Sequence, residues 1–142
     1  MSSLTFPDAN VWFALVMEDH VHHASAMKWW NEDDSDVVAF SRLTQLSLLR
    51  LLTTSVVMKG KPLSIKESWQ AYDSLFVDGR VSLLPEPHSI EPQFRKSTVL
   101  PSASPKLWVD AYLMAFAAQT GGTLITFDRA LENRGVDCLV LR

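Results

Sequence analysis

At 142 residues, with 47% apolar and 20% charged residues, the chain has the length and composition of one globular domain spanning residues 1–142. Its net charge of −3 argues against broad electrostatic binding of nucleic acid, so any basic track must be local. It does not exclude a nuclease whose ion site is built of carboxylates. The single cysteine, Cys138, excludes an intrachain disulfide. With no leader-like N-terminus and no apolar run of about 18 residues to cross a membrane, the expectation is a cytoplasmic protein.

The first stretch, Leu4 to Leu15, reads as a short apolar strand that ends in Asp8 and passes directly into an amphipathic helix carrying Val11, Trp12, Leu15 and Val16. An aspartate at that junction either caps the helix or stands where open α/β sheets do their chemistry, outside the carboxyl ends of the strands. A second helix is expected from about His22 to Trp30. His20, His22 and His23 lack the partners of a metal-binding motif and read as a solvated helix start.

Val37–Phe40 has the continuous apolar character of a buried parallel strand. The segment from Arg42 to Thr53 returns to helical spacing, with Leu43, Leu46 and Leu52 on its apolar stripe. Thr44, Gln45 and Arg50 fall on its other sides. Gln45 then lies in the first turns of a helix that follows a strand, on the rim where Asp8 stands; otherwise it is a solvent-facing glutamine.

Ser64 and Glu67 form a capping box for a helix whose buried face carries Trp69, Tyr72, Leu75 and Phe76, closed by Asp78-Gly79. Val81–Leu84 is a third strand. Five of the seven prolines lie between Pro85 and Pro105, leaving room for one short helix around Pro92 to Lys96. Ser104-Pro105 marks the start of a helix that is apolar nearly all round, ends near Gly121-Gly122, and is expected to be central and buried. Asp110 is its only carboxylate, costly there unless paired or bound to metal. Leu124–Phe127 is a fourth strand, followed by Asp128 and a short helical piece, the arrangement of Asp8 repeated. Cys138–Leu141 is the last strand.

Strands alternating with helices imply an α/β fold, a three-layer α/β/α sandwich with a central parallel sheet of about five strands and right-handed crossovers. If the first and fourth strands are neighbours, Asp8, Asp110 and Asp128 converge. Carboxylates gathered in this way suit Mg²⁺ or Mn²⁺, which would activate a water for attack on a phosphodiester.

Phe6-Pro7-Asp8-Ala9-Asn10-Val11-Trp12, Ser41-Arg42-Leu43-Thr44-Gln45-Leu46, Trp108-Val109-Asp110-Ala111-Tyr112-Leu113 and Ile125-Thr126-Phe127-Asp128-Arg129-Ala130-Leu131, in this order, resemble the PIN-domain ribonucleases and, more narrowly, the VapC toxins of bacterial toxin–antitoxin pairs. The resemblance spans essentially the whole chain. It implies a PIN-like fold and an Mg²⁺- or Mn²⁺-dependent endoribonuclease that cuts a structured RNA, tRNA or rRNA. Asp8, Asp110 and Asp128 would be the metal ligands, and the partners a VapB-type antitoxin and a second copy in a homodimer.

The family places an acidic residue, usually Glu, on the helix after the second strand. Here that position falls on Gln45, which completes the catalytic set but brings no charge and is no base near neutral pH. Thr126 is expected to support the site by a hydrogen bond to a ligand or water, with Asn10 beside Asp8. Arg42, Lys106 and Arg129 are the candidate RNA contacts. Two rivals remain: a PIN-like module that binds RNA or protein without cleaving, as Gln45 permits, and an aspartyl-phosphate phosphatase. The latter needs a second carboxylate two residues after the first, where this chain has Asn10.

Overall fold

The computed structural model describes residues 3–132 and 137–142. Five strands, β1 (Leu4–Pro7), β2 (Val37–Phe40), β3 (Val81–Leu83), β4 (Thr123–Thr126) and β5 (Cys138–Val140), form one sheet. All neighbours are parallel and the order is β3-β2-β1-β4-β5. Six helices flank it: α1 (Ala9–Val16), α2 (His23–Glu32), α3 (Arg42–Leu52), α4 (Ile65–Leu75), α5 (Ile90–Ser97) and α6 (Leu107–Thr120). This is the three-layer PIN-like sandwich.

Alternation along the strands divides the core. On β2, Val38 and Phe40 face a cluster with Trp12 of α1, Trp29 of α2, Leu48 and Leu52 of α3 and Tyr72 of α4. Ala39, between them, faces the opposite layer with Phe6, Leu124, Ile90 of α5 and the α6 run from Met114 to Ala117. Trp12 anchors the first layer, stacked on Phe40 with ring centroids 3.9 Å apart. In the second layer Gly122 lies so close to Phe6 that a Cβ there would stand 2.9 Å from the ring, while Gly121 caps α6 at a positive φ of 73°.

Because β1 is central, the chain leaves it in one direction toward β2 and β3 and in the other toward β4 and β5. The order therefore reverses between β1 and β4, and the crevice of an open α/β sheet opens at their carboxyl ends. Asp8 follows β1 at that point, and its N–H donates to the Ile125 carbonyl of β4 at 2.9 Å.

Three faces differ from the expectations of the periodicity. On α3 the buried residues are Thr44, Gln45, Leu48 and Leu52, whereas Leu46 is 56% exposed. The Thr44 hydroxyl is spent in a capping box with Ser41, so the polar side can turn inward at little cost. Trp69 of α4 is 44% exposed, while Tyr72 of the same expected face is buried. The chain from Ser104 to Lys106 makes a turn, Leu107 N–H to the Ser104 carbonyl at 3.1 Å, before α6 begins at Leu107. The buried part of α6 is its middle, from Ala111 to Ala117, and Trp108 at its start is 60% exposed.

Candidate active site at the carboxyl end of the sheet

Asp8 caps α1 and belongs to the rim as well. Its Oδ1 accepts from the Val11 N–H at 3.0 Å, and its Oδ2 accepts from the Thr126 hydroxyl at the end of β4. Thr126 is fully buried, and its Oγ1 also accepts from the Asp128 N–H at 3.0 Å. One hydroxyl thus ties together the residues that follow β1 and β4.

Burial pushes the Asp8 carboxyl above the usual carboxylate range. The negative charge of Asp110 adds to that rise. The Thr126 hydroxyl and the Val11 and Asn10 backbone N–H groups oppose it. Asp110, in the first turn of α6, comes from the layer opposite α1 and is half-buried. A desolvated carboxylate facing a second one is unfavourable in water-poor surroundings, and such perturbed acids gather at functional sites.

Asp128 is exposed and its Oδ1 accepts from the Ala130 N–H at 2.9 Å, so it caps the short 3-10 turn Arg129–Leu131. Its backbone N–H is linked to the Asp8 carboxylate through the Thr126 hydroxyl. Among the described residues, no three His, Cys, Asp or Glu side chains stand close enough together to hold a metal ion as placed. The donor chemistry of the Asp8–Asp110 pair nevertheless fits a hard divalent cation. Both supply carboxylate oxygens, the donors such an ion prefers.

Gln45 is buried, only 4% exposed, and its Oε1 accepts from Arg42 Nη1 at 2.7 Å. The amide also lies against Tyr72 of α4, whose phenol burial pushes up and Gln45 draws back. A solvent-facing glutamine is therefore excluded. The Arg42–Gln45 bond went unread in the sequence, although the three-residue spacing on a helix was its signal.

Asn10 is exposed and meets Asp8 through its backbone N–H. Arg42, Lys106 and Arg129 are exposed, the first at the start of α3, the second just before α6 and the third just after Asp128. The histidines form a ring cluster beside the rim. His23 Nδ1 donates to the Ala14 carbonyl at 2.7 Å, and His22 stacks on Phe127 at 4.6 Å.

The model of the PIN domain family matches residues 5–136. The ribonuclease VapC41 of Mycobacterium tuberculosis is 41% identical over 133 residues, covering 90% of this chain and 91% of the relative. Among solved structures, M. tuberculosis VapC20, a sarcin–ricin loop cleaving toxin, has a TM-score of 0.66 at 19% identity, covering 93% of this chain and 95% of its own. VapBC-1 from nontypeable Haemophilus influenzae has a TM-score of 0.63 at 17% identity, covering 96% and 97%. These two structures share the fold.

Proposed function

Since this chain belongs to the PIN-domain family, among the VapC ribonucleases, we propose that it is an Mg²⁺- or Mn²⁺-dependent endoribonuclease acting at the Asp8–Asp110–Asp128 rim. The observation that carries this reading is the Asp8–Asp110 pair. Two acidic groups from opposite layers stand near enough, where the strand order reverses, for the charge of Asp110 to add to the rise that burial gives Asp8. A fold that needed only a helix cap at residue 8 gains nothing from placing Asp110 near it.

In this proposal Asp8 and Asp110 hold the cation and Asp128 joins them from its cap. When bound, the cation would supply charge against the negative charge that develops on the phosphate and would ease the loss of a proton from a water, leaving a hydroxide to attack it. The Asp8 carboxylate is held in orientation by Val11 and Thr126, and that of Asp128 by the Ala130 N–H, so neither has to be ordered when RNA arrives. Arg42, Lys106 and Arg129 take phosphates of the substrate, which gives an acidic protein a local basic track.

We extend the proposal to a structured RNA substrate, tRNA or rRNA, as befits a family that includes a toxin cleaving the sarcin–ricin loop. It extends as well to a VapB-type antitoxin, as in the VapBC-1 assembly, and to a homodimer in the cytoplasm. Among the described residues no helix is long and apolar enough to cross a membrane. The second reading, an RNA-binding module without turnover, is favoured by the neutral Gln45 at the position of the usual glutamate.

The test is cleavage of a tRNA and rRNA panel by purified protein free of antitoxin, in Mn²⁺ or EDTA, beside Asp110→Asn. Discrete cuts are expected in Mn²⁺ only, with the variant folded and at least about 100-fold slower, at or above the loss typical of removing a ligand's supporting partner. Cuts that persist in EDTA and in the variant would sink the proposal. Folded wild-type protein that binds RNA and never cuts it would favour the binding module.

A further inference from the structure

The ribonuclease reading leaves Gln45 without work. Its amide sits at 4% exposure, a placement that costs free energy unless the polar atoms are bonded. Its Oε1 takes one N–H of Arg42. Both residues sit in the first turns of α3, whose start is fixed by the Ser41–Thr44 capping box, so their backbones hold a fixed spacing.

Arg42 itself is exposed. It stands at the edge of a largely apolar groove of about 470 Å³ that Leu43, Leu46, Phe94 and Trp108 line with Glu86 along the first two turns of α6, the turns that carry Asp110. A guanidinium has five donors, of which Gln45 engages one, leaving a fork of the kind that grips a phosphate. A glutamate at position 45 would make an ion pair with Arg42 and cancel its charge. The amide makes a hydrogen bond of the same geometry and leaves the charge in place.

We propose that Gln45 is a positioning residue that holds the Arg42 guanidinium, with its charge uncancelled, beside the α6 groove, where it takes an RNA phosphate. This rests on the ribonuclease reading for the identity of the ligand. It gives the glutamine a role that does not involve metal.

The experiment measures binding of a short fluorescein-labelled RNA of mixed sequence, in EDTA so that nothing is cut, across a series of KCl concentrations. The proteins are wild type, Gln45→Glu, Arg42→Gln and the double variant, each checked for folding by thermal melting. Separately, Mn²⁺ is titrated calorimetrically without RNA. Gln45→Glu and Arg42→Gln are each expected to weaken RNA binding about three- to tenfold and to lower the slope of log K against log salt by about one phosphate contact. The double variant should be no weaker than Arg42→Gln, and Mn²⁺ affinity should stay within about twofold in Gln45→Glu.

If Gln45→Glu tightens Mn²⁺ binding tenfold or more and leaves RNA binding alone, Gln45 faces the metal and the proposal is overturned. An unaltered salt slope in Arg42→Gln overturns it too. Wild-type protein without salt-dependent RNA binding would instead remove the ribonuclease reading beneath it. Should Gln45→Glu fail to fold, Gln45→Met takes its place: weaker binding in the wild-type background and no change in the Arg42→Gln background support the pair, and additive losses refute it.

Discussion

The two ends of the sheet handle charge in opposite ways. At the amino end, before β3, Arg80 donates to both oxygens of Asp78 at 3.0 and 2.9 Å and to the Asp33 carbonyl at 2.8 Å, and lies 4.7 Å from the Trp30 ring. Its hydrogen bonds hold the Asp78 carboxyl below the usual range. At the carboxyl end, burial and Asp110 hold Asp8 above that range. Two aspartates of one sheet are thus shifted in opposite directions, the first by a cation supplied within the fold, the second by burial, with a smaller push from a neighbour of its own sign. Paired charge at the amino end clamps α2 to β3, whereas at the other end two groups of like charge influence one another.

The comparison breaks most sharply at Thr126. Thr126→Val keeps the volume and removes the hydroxyl that serves Asp8 and Asp128, so RNA cleavage in Mn²⁺ should fall about 10- to 100-fold. Unchanged cleavage rates would show that the hydroxyl aligns nothing. At the amino end, Arg80→Ala should cost about 2 kcal/mol of stability, since it strips charged hydrogen bonds from half-buried Asp78 and Asp33. Urea unfolding reads that loss, and cleavage by the folded fraction should not alter. If Arg80→Ala slowed cleavage in fully folded protein, the division between a structural and a functional end would be wrong.

How much of this the sequence disclosed depends on how local each signal is. Asp8 and Asp128 stand out because strand, carboxylate and helix follow one another within a few residues, and the strand order placing β1 beside β4 was within reach of the alternation of elements. The inward face of α3 was hidden because a capping box, formed by two hydroxyls, lets Thr44 and Gln45 turn toward the core against the leucine stripe. A helix as uniformly apolar as α6 has no face to read, so the exposure of Trp108 and the burial of Phe116 are set by the sheet beneath it. The Arg80 clamp joins residues 47 apart and leaves no local pattern.

The smallest effect is the most direct measure of what the gathered charge costs. Asp8→Asn keeps a side-chain oxygen for the cap and turns an amide N–H group toward Thr126, but removes the desolvated charge. Because the folded-state carboxyl of Asp8 is raised, the native protein holds its proton more tightly than the unfolded chain does. Wild-type stability relative to the variant therefore declines as pH rises through the unfolded carboxylate value toward the folded one, and the deficit is complete above both. In EDTA at neutral pH, Asp8→Asn should melt slightly above wild type, with the difference vanishing in acid below the carboxylate range. Mn²⁺ should raise the wild-type melting temperature and leave the variant where it was, because a cation relieves only a charge that is present. Were Asp8→Asn less stable in EDTA at neutral pH, the carboxylate would be serving the fold as Asp78 does, and the contrast between the two ends of the sheet would disappear.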